Sequence, residues 1–218
     1  QNRGISEKTL KDNRICNYKN SIAFPYFKDN NLMTFKYRSL DKKFFQEGGK
    51  PVLMGMDDTI FENPLIICEG EIDFLTFKEC DIKNVVSVPF GANDLRWIDY
   101  NSEYLSKFKE IILCFDNDKA GRDAESEVKS RIGIEKLKKI NLGVYKDINE
   151  ILMNEGEGEV LRATFNLENF DMGGCYNVSD INTEDDNVSA FSSFKAIDNF
   201  IHGFREKELT AWTGFPGS

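Results

Sequence analysis

The chain has 218 residues, 40% of them hydrophobic and 30% charged, enough for one good core and a smaller subdomain. A single histidine, His202, excludes serine–histidine and histidine-rich metal chemistry, and five cysteines without CxxC spacing predict buried free thiols rather than disulfides or zinc. No apolar run approaches the roughly 20 residues of a membrane span and no secretory signal opens the sequence, so a cytoplasmic protein is expected.

The net charge of −9 is uneven: residues 1–55 hold 11 Lys/Arg against 5 Asp/Glu, which leaves the remainder strongly acidic. A basic segment beside an acidic one suits a nucleic-acid backbone held near a cation; an ordinary solvated surface gives the same balance. Residues 1–20 read as a polar lead-in with a short helix after Ser6. SIAFPYF and LMTFKYRS then form two strand patterns around KDNN, a turn cluster that predicts a hairpin. Lys36 and Arg38 alternate with Phe35 and Tyr37, so the basic pair faces one side, as a phosphate contact or simply as a solvated face. QEGGK is a loop by composition, and Pro51 to Phe61 an irregular connection that closes an N-terminal, β-rich basic subdomain over residues 1–60.

Residues 61–154 alternate strand and helix. Leu65 to Cys68 is a short apolar run between Pro64 and Gly70, the pattern of a strand buried on both faces, and it breaks on Glu69 and Glu71. EIDFLTFKEC follows as a helix with Asp73 in its first turn. NVVSVP is a second buried strand, and FGAND places Gly91 in a tight loop, with Asn93 and Asp94 as turn formers. SEYLSKF is a helix opened by Ser102. Ile111 to Phe115 is a third buried strand and runs into Asp116 and Asp118. Ala120, Ala124, Val128 and Ile132 recur every four residues, a helix packed on a sheet, with Gly121 near its start where a backbone can approach a ligand closely. IEKLKKINLGVY supplies another strand, and KDINEIL a helix whose first turn carries Asp147 after Lys146.

Strands separated by helices lie parallel, and their carboxyl ends share the sheet edge where ligands bind in open α/β folds. Glu69, Glu71, Asp116 and Asp118 are therefore expected in one crevice, with Asp73 close to the strand end at the helix start and Asp147 as a fifth candidate ligand. Clustered carboxylates repel one another unless a cation neutralises them, and hard oxygen ligands suit Mg²⁺ or Mn²⁺. From residue 155 to 186 acids outnumber bases nine to one, which reads as a helical and acidic linker over 155–192. Apolar content returns over 193–218, ending on TGFPGS.

EGEID followed by DNDKAG resembles the TOPRIM domain of primases, topoisomerases and some nucleases, and KDINE resembles the third motif of phage and organellar primase–helicases. The resemblance implies a Rossmann-type parallel sheet flanked by helices. Glu69, Asp116 and Asp118 match the family's defining positions and are expected to be catalytic and metal-binding; Asp147 matches a primase-specific ligand, while Glu71 and Asp73 match positions of less settled role, Asp73 counted with the ligands. Lys36, Arg38, Gly91 and Lys146 are the expected nucleotide or nucleic-acid contacts. TGFPGS resembles the opening of a Walker A loop through Gly214, Gly217 and Ser218, as at the start of a ring helicase domain. The implied activity is two-metal synthesis of RNA primers from ribonucleoside triphosphates on a single-stranded DNA template. Implied partners are a helicase domain of the same chain and a ring-forming parent, with this stretch itself a monomer. A catalytically silent DNA-binding module of Twinkle-type helicases and a TOPRIM nuclease are the competing readings.

Overall fold

Apolar alternation sets the central sheet. In β5 (Leu65–Cys68), Leu65 and Ile67 face one hydrophobic cluster while Ile66 and Cys68 face another, so all four side chains are buried. The computed structural model describes residues 3–39, 41, 43–46, 48–91 and 94–170, with 188–190, 195 and 204–205. The strand β7 (Ile111–Cys114) repeats the pattern and pairs with β5 in parallel, with Cys68 opposite Cys114. Burying such aliphatic side chains stabilises the fold by roughly 1.5–3 kcal/mol each.

Five strands form this sheet, in the order β6-β5-β7-β8-β9, with β6 at Val85–Ser87, β8 at Leu137–Ile140 and β9 at Leu167–Asn169. The first four are parallel and β9 is antiparallel. Helix α2 (Glu71–Glu79) crosses from β5 to β6, the short helices α3 (Arg96–Tyr100) and α4 (Ser102–Ser106) from β6 to β7, and α5 (Lys119–Ile132) from β7 to β8. Two further helices, α6 (Ile148–Glu155) and α7 (Glu157–Ala163), precede β9. The α/β class with a parallel sheet flanked by helices is as the sequence implies.

The N-terminal part forms a separate antiparallel sheet in the order β1-β2-β3-β4, from Cys16–Tyr18, Ser21–Lys28, Asn31–Ser39 and Phe44–Gln46. The β2–β3 hairpin turns on Asp29 and Asn30, both at positive φ, a two-residue turn whose twist matches the strands. The Asp57 carboxylate accepts both turn N–H groups, at 3.0 and 2.8 Å. Phe24 and Tyr26 of β2 enter the cluster that holds Ile66, Phe74 and Ile151, so this sheet shares a core with the parallel one.

Several expectations are corrected. β1 lies in the stretch read as a lead-in and β4 overlaps the stretch read as a loop, because three-residue strands are too short to show a period. The N-cap position of α4 is Asn101, not Ser102, and the Asn101 amide instead donates to the carbonyls of Pro51 and Trp97. The first compact unit runs to Asp171, so α7 and β9 belong to the sheet although their composition reads as linker. The second unit covers Met172–Ser218; its described strands are β10 (Val188–Ala190) and β11 (Phe204–Arg205), paired antiparallel. Cys68, Cys80 and Cys114 are buried free thiols, Cys16 is exposed, and Cys175 lies outside the described residues. No helix among the described residues is long and apolar enough to cross a membrane.

Candidate metal and nucleotide site

Parallel pairing of β5 and β7 puts the residues that follow them side by side. Glu69 Oε2 accepts the backbone N–H of Asp116 at 3.4 Å, which ties the two strand ends together. The third acid arrives by helix capping. Asp147 is the N-cap of α6, its Oδ1 accepting the Glu150 N–H at 2.8 Å. Asp118 caps α5 in the same way, its Oδ1 accepting from the Gly121 N–H at 3.0 Å. An N-cap carboxylate both satisfies an orphan donor and meets the positive end of the helix dipole, so each helix start fixes its own acid.

A cleft of about 580 Å³ opens at this edge, and Glu69, Glu71, Asp73, Asp116 and Asp147 line it. Asp118 stands outside the lining, at the rim. Lys146 joins the two: its ammonium is 3.0 Å from Asp116 Oδ2 and 3.8 Å from Asp118 Oδ2. Asp116 raises the Lys146 pKa in turn. The Asp116 carboxyl is held above its ordinary value because burial outweighs the help of Lys146. Asp73 is pushed much further, first by burial and then by the charges of Asp147, Asp116, Glu69 and Glu71. A carboxyl so placed marks an excess of negative charge that the protein itself does not neutralise.

Glu71 has a different job. Its Oε1 lies 2.6 Å from Lys36 Nζ and accepts the Tyr26 hydroxyl at 2.6 Å, and all three side chains are largely or fully buried. Burial and the neighbouring Glu71 charge push the Tyr26 phenol well above its ordinary pKa. Lys36, expected to meet phosphate, thus spends its charge on Glu71, and the pair bolts the N-terminal sheet to the start of α2. Arg38 lines the cleft beside it, its guanidinium 5.1 Å from the centre of the Phe44 ring. Gly91, at φ +72°, also lines the cleft; a Cβ there would stand 4.0 Å from Glu69 Oε1.

Residues that sequence reasoning missed include Arg3, Phe44 and Gln46 in the lining. Arg3 is carried in by Asn149, the asparagine of KDINE, which is fully buried. Its amide accepts from Arg3 Nη1 at 3.0 Å and donates to the Arg3 carbonyl at 2.9 Å. No sequence signal links positions 146 residues apart. Gly121 is reinterpreted as well: an added Cβ would lie 2.0 Å from the Asp116 carbonyl oxygen, so the close approach is to the backbone of an acid rather than to a ligand. Asp94 is engaged by Arg96 at 2.5 Å, and Asn93 lies outside the described residues. Gly214, Gly217 and Ser218 also lie outside them.

Among the described residues no three His, Cys, Asp or Glu side chains form a closed ligand set. The donor chemistry nevertheless fits a hard divalent cation: oxygens only, a surplus of charge at Asp73, and a lysine ammonium lying between two of the acids. This is a fold that generally binds divalent metal ions.

Residues 66–152 match the Toprim-like family. The Twinkle homolog protein of Arabidopsis thaliana, chloroplastic/mitochondrial, is 32% identical over 99% of this chain and 35% of its own length. The DNA helicase/primase of Enterobacteria phage T3 is 29% identical over 92% of this chain and 37% of its own. The chain thus spans about a third of these relatives. The crystal structure of the primase fragment of the bacteriophage T7 primase-helicase protein superposes with a TM-score of 0.67 and 32% identity, covering 74% of this chain and 72% of that one. A chain from the T7 lagging-strand DNA polymerase assembly with primase domains gives 0.69 and 30%, covering 77% and 90%. With the acids of EGEID, DNDKAG and KDINE at one sheet edge, the chain belongs to the Toprim-like family, among the primase domains of phage and Twinkle-type primase–helicases.

Proposed function

We propose that this chain carries the nucleotidyl-transfer site of a DNA primase, which joins ribonucleotides on a single-stranded DNA template as part of a replicative primase–helicase. The supporting observation is the crowding of acids in one cleft: Glu69, Glu71, Asp73, Asp116 and Asp147 line it together, and burial with the neighbouring charges raises the Asp73 pKa well above its ordinary value. Glu69, Asp116 and Asp118 are the residues that would hold Mg²⁺ or Mn²⁺, with Asp147 and Asp73 beside them. When bound, the ion supplies charge neutralisation to the phosphates and acidity to the attacking hydroxyl.

The chain's own residues do the rest. Arg3 and Arg38 both line the cleft and offer guanidinium groups to a triphosphate, a chemistry that suits phosphate oxygens. Lys146 screens Asp116 and Asp118 from each other until a cation arrives, and is then placed to turn toward phosphate. The Glu71–Lys36 pair keeps the N-terminal wall in register with the acids. Single-stranded template, ribonucleoside triphosphates and a helicase domain of the same chain are the proposed partners, within a ring-forming parent. Its compartment follows that of the replicated DNA, an organelle as readily as a host cytoplasm, given the chloroplastic/mitochondrial relative.

One observation favours a second reading, a catalytically silent module that holds single-stranded DNA. Lys146 already occupies the space between two ligand candidates, an arrangement that also serves a site without metal. Template-directed primer synthesis with Mg²⁺ or Mn²⁺ separates the two. Primers made by the wild type and lost in Asp116→Asn support the enzyme; DNA binding without any primer at either metal refutes it.

A further inference from the structure

The four-stranded sheet has two faces, and only one of them meets the acidic cleft. Phe24, Tyr26, Lys36 and Phe44 lie on the cleft side. Because β4 is an extended strand, Phe45 points away from Phe44, to the other side. There it is the cross-strand partner of Tyr37, and the two rings stack with centroids 4.7 Å apart at 14°. Tyr18 of β1 continues the row, 5.3 Å from Tyr37 across the small residues Ser21 and Ala23 of the intervening strand. Tyr18 and Phe45, the two ends of the row, are each 47% exposed. Single exposed aromatics are ordinary on a protein surface; a contiguous row of three, one pair stacked and the other tilted at 44°, is not.

We propose that this row is a stacking platform for the bases of a single-stranded nucleic acid passing through the cleft, with Phe45 as its first ring. Continuity carries the first half of the case. Phe44 and Phe45 both line the cleft although they lie on opposite faces of β4, so this edge strand forms a sill between the acids and the aromatic row. A strand leaving the cleft crosses at Phe44, where Lys36 and Arg38 stand 5.0 and 5.1 Å from the ring centre, and meets Phe45 next.

Charge carries the second half. Residues 1–55 are net basic in a chain of net charge −9. Lys19 places its ammonium 5.1 Å from the centre of the Tyr18 ring at the far end, and Lys43, 82% exposed, sits just before β4. Aromatic faces bordered by cations fit sequence-tolerant binding in which bases stack and phosphates meet lysine. A protein partner would instead be met by a centre and rim depleted of lysine.

This inference rests on the proposed engagement of single-stranded DNA, and the experiment separates the two. Fluorescence anisotropy compares an oligothymidylate of about 15 nucleotides with an abasic strand of equal length. Wild type is expected to bind the base-bearing strand about 5- to 100-fold more tightly, the range of one to two stacked bases. Phe45→Leu, which keeps apolar bulk without a π-face, should reduce that ratio towards one while preserving the salt dependence, and Phe45→Trp should restore it. Photo-crosslinking of wild type to a bromouracil strand is independent of any variant's folding and should label Tyr18, Tyr37 or Phe45. Binding that is equally tight for both strands, an intact ratio in Phe45→Leu, or labels confined to cleft residues other than Phe45 would overturn the platform and leave the DNA-binding reading standing. Binding of neither strand would overturn both. A change in oligomeric state alone would assign the row to a protein contact and overturn the platform too.

Discussion

Gly121→Ala puts the close approach of α5 to the acid edge to a quantitative test. An ideal Cβ at this position would lie 2.0 Å from the Asp116 carbonyl oxygen, 3.0 Å from its carbon and 3.1 Å from its nitrogen. Ordinary contact begins at 3.4 Å, so about 1.4 Å has to be opened between helix and strand end. The atoms that must give way are backbone, with no flexible side-chain end to yield. Overpacking of this kind costs about 1–3 kcal/mol. Against it stands the ordinary preference of a helix for alanine, at most about 1 kcal/mol and less so near a helix start. The net loss of about 1–2 kcal/mol corresponds to roughly 2–8 °C in melting temperature for a chain of this size. The functional effect should be larger, because Asp116 moves with its peptide and a misplacement of about 1 Å can cost about 100-fold in rate. Thermal melting and primer synthesis measure the two effects separately. Gly158→Ala is the control: no heavy atom lies within 4 Å of its added Cβ, so the same change in the first turn of α7 should not destabilise and should gain up to about 0.5 kcal/mol. A Gly121→Ala protein that melts no lower than wild type and primes at full rate would refute the contact.

Asp73→Asn should raise the melting temperature of the metal-free protein near neutral pH and leave it unchanged near pH 4. The folded-state pKa of Asp73 lies above the unfolded value of about 3.9, so its penalty begins as pH rises through that value and grows until the folded value is passed. Equal gains at both pH values would remove the electrostatic explanation. Lys36→Met strands Glu71 without its cation beside Tyr26 and should cost about 3–5 kcal/mol, whereas the paired change with Glu71→Leu should recover part of it; denaturant melts of the wild type, both single variants and the double variant form the cycle. Asp116→Asn should abolish calorimetric Mn²⁺ binding while the domain stays folded.

The parallel sheet and its acid edge were legible in the sequence because the signals are local: β5 and β7 are short apolar runs, and Glu69 and Asp116 follow them within two residues. The same logic hid what depends on pairing across the chain. Glu71 looks like any other acid of EGEID until Lys36 and Tyr26, 35 and 45 positions upstream, are seen beside it. Arg3 reads as part of a frayed lead-in, yet a buried asparagine in the third motif holds it in the cleft. α7 and β9 were hidden by composition, since charged residues such as Glu168 sit on an edge strand where one side meets water. Phe45 lay at the end of an apolar pair followed by glycines, where nothing local distinguishes a strand from a loop.

The two capping carboxylates also limit which letters of the alphabet each position tolerates. At 118 and 147 one oxygen is committed to a helix N–H, a task for the short Asp side chain that the longer Glu performs poorly. Glu69 precedes the N-cap position of its helix, which Gly70 fills without a side chain, and so has no such constraint on its length. At 118 and 147, aspartate therefore marks an acid that also opens a helix. Asp118→Glu keeps the charge and loses the cap; Asp118→Asn keeps the cap and loses the charge. Because capping holds both aspartates in place before any ion arrives, their rotamer freedom, on the order of 0.5–1.5 kcal/mol for each immobilised side chain, is lost during folding and does not weaken ion capture.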